Sequence, residues 1–366
     1  MKEIPVYQTI FNDIYKDILS GIYEEGGMLP PEQELCKKYI SSRITVNKAL
    51  QMLVEKGFIK RIQGKGSFVT AKGDHILVKP RIIGVIICGL SPSFGIRLFK
   101  AIENCVRTEG YSVVYKDSRY DSAMESQCIA ECIALGVDGI ILHPVHAERF
   151  NEELLKAAIA HFPIVLVDRD ISGLSFSFVG SDNHYNTKQA VKYLFDKGHR
   201  NICFMSSDPK YISTIEGRIN AFNEAFIDNN ILNTSVNLFT SIKSTRLVRA
   251  DRKQLDEDIN NICAHLNNNP QITCVFASEH SIYLLVKEAV KRMGKSIPDD
   301  ISLLTYDDIV DDFSSASVSH IRQNEEEIGQ KAVQLVVEAI QGKPATKLYL
   351  STELIIDGSI KDISNR

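Results

Sequence analysis

From residue 82 onward, short and almost wholly apolar runs alternate with amphipathic stretches. This alternation constrains the fold more than any other feature of the chain. The runs are 82–88 (IIGVIIC), 111–115, 137–142 (VDGIIL), 163–168 (PIVLVD), 201–205 (NICFM), 272–277 and 301–306. Helical stretches separate them, for example 94–109, 122–135, 184–197, 215–229, 281–293 and 325–341. A strand that is apolar along its whole length must be covered on both faces. Such strands joined by helices therefore read as parallel sheets with helices on each side. About 285 residues in one series is more than a single doubly wound sheet usually takes, so two lobes with a cleft between them are expected.

The first seventy residues have a different texture. Ile10, Ile14 and Ile18, beside Phe11, Tyr15 and Leu19, recur at helical spacing and predict a helix over about 7–20. Gly21, Gly26 and Gly27 separate it from a short helix opened by Pro30-Pro31-Glu32, with Leu35 and Tyr39 facing inward. Ser41-Ser42 supply a turn and an N-cap for a third helix over about 43–56. Its inward face is Val46, Ala49, Leu50 and Leu53, and its other face shows Arg43, Asn47, Lys48 and Gln51. Gly57 is a C-cap, and 58–61 and 67–70 read as two strands around a tight turn at 63–66. Three small helices followed by a glycine-turned hairpin make a winged helix-turn-helix. A helix of this kind fits the major groove, where Arg43, Asn47 and Lys48 carry donors suited to base edges or phosphates. The two glycines of the turn let the backbone approach a phosphate closely, and Lys65 adds charge there. Residues 71–80 lack periodicity and read as a linker, which leaves 81–366 for the second domain.

Charge follows the same division. The chain is at −4 overall, yet residues 1–72 carry 11 Lys and Arg against 8 Asp and Glu, leaving +3 there and −7 on the remainder. A polyanion is thus expected at the N-terminal end. The eight cysteines, with no secretory signal ahead of them, read as reduced thiols of a cytoplasmic protein. Cys128 and Cys132 share one helix face, but no matching Cys or His cluster accompanies them, so no metal is expected. No apolar run approaches the roughly 18 residues of a membrane span. The reading of the fold as an enzyme, such as a sugar-modifying one, finds no GxGxxG after the first strand, no GxxxxGK[ST], no GxSxG and no HExxH. No cofactor is expected.

Leu29-Pro30 with Glu32 and Glu34-Leu35, Ser42-Arg43-x-Thr45-Val46, Ala49-Leu50, and Gln63-Gly64-x-Gly66-Ser67-Phe68-Val69 resemble the DNA-binding domain of the GntR family of bacterial repressors. Pro31 stands where that family usually has Ser or Thr, and Asn47 where it often has Arg. The resemblance implies DNA contacts from Glu32, Gln33, Ser42, Arg43, Thr45, Asn47, Lys48, Gln63, Gly64 and Lys65.

Over 81–358, Gly180-x-Asp182-Asn183, Gly198-His199-Arg200 and Tyr306-Asp307-Asp308 resemble the effector domain of LacI/GalR repressors, which is related to periplasmic sugar-binding proteins. It implies lobes of about 81–174 with 323–349 and of about 175–322 with 350–358, the chain crossing near 175, 322 and 350. The ligand is expected at the carboxyl ends of the strands. Candidate ligand residues are Asp168, Arg169, Arg218 and Asp307, with Ser91 and Phe94 after the first strand, Arg119 or Tyr120 after the second, and His143 after the third. Glu279 stands where that family usually has Asn, and with no Trp in the chain an aromatic wall must be Phe or Tyr. The combination is similar to arabinose-responsive repressors. It implies a homodimer on double-stranded operator DNA, controlled by a monosaccharide, by analogy a pentose or 6-deoxyhexose.

Overall fold

The computed structural model describes residues 5–70, 81–146, 151–232, 237–245, 251–307 and 318–364, without the side chain of Leu19. Residues 71–80, expected as the linker, and Asp308 lie outside the described residues. The chain divides into two compact units, 1–80 and 81–366.

The first unit is a winged helix-turn-helix. Its elements are α1 (Val6–Leu19), α2 (Glu32–Lys38), α3 (Arg43–Glu55), β1 (Ile59–Ile62) and β2 (Gly66–Val69). Ile10, Ile14, Ile18, Leu35, Val46, Ala49, Leu50 and Leu53 close one small core together with Leu29, Ile59 and Val69. Pro31 precedes α2 and makes no side-chain cap, whereas the Ser42 hydroxyl accepts the Thr45 amide and opens α3. Between these helices the exposed Ile40 takes a left-handed φ of 45°.

The second unit holds two six-stranded sheets. The first is built from β3 (Ile82–Ile87), α4 (Ile96–Thr108), β4 (Ser112–Asp117), α5 (Ser122–Leu135), β5 (Gly139–Leu142), α6 (Glu152–Ile159), β6 (Ile164–Val167) and β7 (Ser177–Ser181). The second is built from α7 (Asn183–Asp196), β8 (Ile202–Ser207), α8 (Ser213–Asp228), β9 (Leu238–Ile242), α9 (Arg252–Asn268), β10 (Cys274–Ala277), α10 (His280–Arg292), β11 (Ser302–Tyr306) and β12 (Ser319–Arg322). The chain then returns through α11 (Glu325–Ile340) and β13 (Lys347–Leu350) to the first sheet, and ends with β14 (Glu353–Ile355) on the second.

The strand orders are β13-β7-β6-β5-β3-β4 and β14-β12-β11-β10-β8-β9. Each sheet thus places its first strand between its second and third, which creates a switch point where the carboxyl ends open a crevice. All pairings in the first sheet are parallel, and in the second only β14 runs antiparallel. Helix α11 packs Ile328, Ala332, Val333 and Val336 on the first sheet's core residues Val85, Ile141 and Val165.

The expected crossing near 175 needs correction. Residues Ser177–Ser181 pair with β6 and β13, so the chain leaves the first sheet only after Ser181. The strand is short and carries two serines and a glycine, which hid it among loop residues. The later crossings follow Arg322 and lie between β13 and β14. Two crossings run directly into capped helices: Asp182 accepts the Tyr185 amide at 2.9 Å and Asn324 the Glu327 amide at 3.2 Å. These caps satisfy amides that a helix start would leave open, and they fix the direction in which the chain enters each lobe.

Candidate functional site

In the first unit, three elements meet on one carboxylate. Glu32 begins α2. Arg43, the first residue of α3, donates through Nε to Glu32 Oε2 at 2.8 Å, and Asn47, one turn on, donates to the same oxygen at 3.2 Å. From β1, Arg61 donates through Nη2 to Glu32 Oε1 and to Asn47 Oδ1, the latter at 2.9 Å. The Arg43 hydrogen bond holds the Glu32 carboxyl below its ordinary range against the opposing pull of burial, with Asn47 and Arg61 adding to it. Ser42 and Thr45 hydroxyls lie 2.9 Å apart at the cap of α3. Lys48 stands 3.9 Å above the Tyr7 ring. Gln33 is exposed on α2, and Gln63, Gly64 and Lys65 are exposed at the hairpin tip, where the Lys65 amide closes the turn on Ile62 and Gly64 has φ 75°. The structure thus gathers Glu32, Arg43 and Asn47 into one network and keeps the tip residues apart from it. Arg61 is the member that sequence reading missed. Strand alternation carried the signal, since Arg61 falls two residues after the buried Ile59 and so shares its face.

The second unit concentrates its polar residues where strands end. In the first lobe, Asp168 follows β6 and His143 follows β5, with His143 Nε2 3.2 Å from Asp168 Oδ2. His143 Nδ1 lies 3.6 Å from Cys88 Sγ, just beyond β3, and the Phe94 ring meets the imidazole edge-on at 5.9 Å. Arg169 donates to the carbonyls of Pro144 (3.1 Å) and Val145 (2.8 Å), which ties the loops after β5 and β6 together.

In the second lobe, Arg218 of α8 donates to Asn183 Oδ1 at 2.7 Å and to the Ser278 carbonyl at 2.6 Å, and its guanidinium lies 3.5 Å above the Tyr306 ring. Asp307, after β11, accepts from Gln323 Nε2 with both oxygens at 3.1 Å. Gln323 in turn accepts the Ser181 hydroxyl at 2.7 Å, so a polar chain runs from one sheet to the other.

Electrostatic interactions couple these groups across the two lobes. Burial raises the Asp168 carboxyl, but His143, Arg169 and, from the other lobe, Arg218 together hold it below its ordinary range. Asp307 is pushed up to about 7, first by burial and then by Glu325 and Asp168, with Arg218 and Gln323 opposing. His143 rises to about 9 although burial favours its neutral form, because Cys88 and Asp168 favour the cation.

Two further features mark the same place. Of the eight non-glycine residues with left-handed φ among the described residues, Arg119, Tyr120, Asp168, Tyr211 and Asp307 all follow strand ends of these sheets. Strain of this kind costs of order 1 kcal/mol or more and gathers at functional sites. The fully buried hydroxyls of Ser118, after β4, and Ser278, after β10, have no hydrogen-bond partner among the described residues. A buried polar group is ordinarily paired, so these two hydroxyls stand out at the strand ends.

The structure therefore brings together Phe94, His143, Asp168, Arg218 and Asp307. Other expected residues are used elsewhere. The Ser91 hydroxyl is held by the Phe94 backbone within its own loop, at 3.1 Å to both N and O. Arg119 is exposed, while the Tyr120 ring packs against Gly89, where an added Cβ would lie 2.5 Å from it. Glu279 flanks α10, accepts the Ser281 hydroxyl and adds negative field at Arg169. Ser118, Ser278, Gln323 and the His146–Tyr211 ring pair, 6.2 Å apart and drawn from different lobes, were not singled out from sequence.

Residues 6–69 match the model of bacterial regulatory proteins of the gntR family, and residues 191–360 match that of the periplasmic binding protein-like domain. The chain joins a GntR-type DNA-binding domain to a periplasmic-binding-protein-like domain. The chain also aligns with a relative over almost the whole of both sequences. The arabinose metabolism transcriptional repressor of Geobacillus stearothermophilus is 25% identical over 99% of this chain and 99% of its own. Among solved structures, the transcription regulator CcpA of Lactococcus lactis superposes with a TM-score of 0.66 at 18% identity, over 77% of this chain and 99% of that one. A LacI family regulator from Enterococcus faecium with bound ribose does so with a TM-score of 0.63 at 20% identity, over 77% of this chain and all of that one. Over nearly its whole length the chain is thus similar to a transcriptional repressor, and its second unit shares the fold of a regulator solved with bound ribose. No described helix is long and apolar enough to cross a membrane.

Proposed function

We propose that a monosaccharide, a pentose or 6-deoxyhexose, binds between the strand ends of the two lobes and controls the grip of a cytoplasmic homodimer on operator DNA. The observation that carries this reading is the electrostatic coupling of Asp168, Arg218 and Asp307 from two lobes, with unpaired buried hydroxyls just after β4 and β10. Carboxylates accept and a guanidinium donates in fixed planes, which suits pairs of neighbouring sugar hydroxyls, and Phe94 offers an apolar wall to the ring. A sugar that prefers one lobe arrangement shifts the population toward it, and in a dimer this changes the spacing of the two DNA-reading heads. The names of the arabinose repressor and of the ribose-bound regulator support the choice of sugar class. That the relatives are transcriptional regulators favours this reading over a sugar-modifying enzyme.

The test is a thermal-shift panel of monosaccharides and their phosphates, followed by DNA binding with each hit. A ligand of the native state raises the melting temperature. A free pentose or 6-deoxyhexose is expected to raise it and to change operator affinity. A panel in which none of these sugars does so overturns the proposal.

A further inference from the structure

The DNA-binding unit carries a cation that its reading helix does not supply. Arg61 sits on β1, yet its side chain crosses to the first residue of α2 and to α3 through Glu32 Oε1 and Asn47 Oδ1. Both bonds use Nη2. Among the described residues, Nε and Nη1 have no partner, and the side chain is 37% exposed. On the other oxygen of the same carboxylate sits Arg43, 74% exposed. Two guanidiniums share one carboxylate, so the cluster is net positive and offers two planar donor forks beside the start of α3.

Unlinked, the two cations would repel each other and spread. Glu32 between them fixes their separation, and Asn47 fixes the tilt of the second. The arrangement leaves inward donors satisfied and outward donors free, which is what a rigid phosphate clamp requires. A carboxylate near DNA is unfavourable by itself, but here two cations neutralise it.

We propose that Arg61 is a phosphate contact of the DNA-reading face, and that Glu32 is the positioning residue that holds Arg43 and Arg61 at a fixed spacing. The α3 helix then reads bases while the first wing strand grips the adjoining backbone, in a register set by one side chain.

The experiment uses the full-length protein and a duplex that it enriches from a random library, with affinity measured from 50 to 200 mM KCl. Arg61→Met is expected to weaken binding about 3- to 10-fold near 100 mM and to lower the slope of log K against log salt by about 0.9 for each bound head, the signature of one lost phosphate contact per head. Arg61→Lys restores the slope. An unchanged slope in Arg61→Met, or one that Lys fails to restore, overturns the contact. Glu32→Gln is expected to keep the salt slope while cutting the preference for the enriched over a scrambled duplex at least about fivefold, as base contacts lose their spacing. An unchanged preference overturns the positioning role. Because slope and preference are read on folded protein, any loss of melting temperature in these variants is separated from the result.

Discussion

The reading face of the head and the cleft of the sensor gather similar side chains and hold them in opposite ways. Around Glu32 the cations stand in solvent, with Arg43 74% exposed. In the cleft Asp168, Arg218 and Asp307 are each less than a tenth exposed. Exposed pairs are worth little by themselves, roughly 0–1 kcal/mol, and are screened by salt. A polyanion can therefore take over such cations at small cost, and binding must depend on ionic strength. Buried charges are dear to leave unpaired, so the cleft answers to removal of a partner or a proton rather than to salt. Backbone strain follows the same line, gathering at strand ends in the sensor while the head shows one strained residue, Ile40, among those described.

The strongest way to break this contrast is Arg218→Met. It strips Asn183 and the Ser278 carbonyl of their donor and leaves two buried acids short of a counter-charge. The sensor is expected to lose about 3 kcal/mol of stability and all sugar-induced thermal shift, with DNA binding intact where the protein is folded. A normal sugar response in that variant removes the cleft from the ligand's path.

Arg43→Ala is expected to weaken operator binding by roughly 1–3 kcal/mol at one base position while scarcely moving the melting temperature. Gel shifts that match the parent protein take Arg43 off the reading face.

Asp307→Asn sharpens the comparison through pH. The folded carboxyl titrates near 7 against an ordinary 3.8, so the folded state holds its proton longer. Near pH 3 both states are protonated and nothing is lost. The penalty grows as pH rises and is complete above about 7. The Asn variant should gain melting temperature over the parent at pH 8 and much less at pH 4. Equal gains at both values refute the buried acid.

The smallest effect is expected at Ile40, a β-branched residue at φ 45° and 95% exposed. Glycine relieves the strain but frees the unfolded chain, for a net gain of roughly 0.5–1 kcal/mol in the head alone. Calorimetry showing destabilisation contradicts the strained turn.

Sequence pattern exposed those parts of the fold in which one residue's environment is repeated along a segment. Ile82–Ile87, Gly139–Leu142 and Ile164–Val167 are covered on both faces, so their runs are apolar throughout. The marginal strands β9, β13 and β14 lack that covering. Leu238–Ile242, Lys347–Leu350 and Glu353–Ile355 are half exposed and read as ordinary polar chain. Ser319–Arg322 is buried yet carries one large aliphatic residue in four, because Ser319 and His320 are buried polar residues. At the candidate sites, the positions of Arg218 near a helix start and Asp307 at a strand end were legible because both lie within recognisable motifs. Arg61, Ser118 and Ser278 were not, since being unpaired or shared is a property of neighbours brought from far along the chain. Ser91 shows the converse, a well-placed hydroxyl consumed by its own loop.

The amide of Gln323 joins the two sheets. Its oxygen takes the Ser181 hydroxyl and its nitrogen serves Asp307, so only one orientation of that side chain satisfies both neighbours. A ligand donor that engaged Asp307 would compete with that nitrogen, and the segment after β12 that carries the amide is one of those passing between the sheets. On the proposed reading, a sugar held by Asp307 would be felt in the orientation of a single planar group at a pivot, a signal with direction as well as strength.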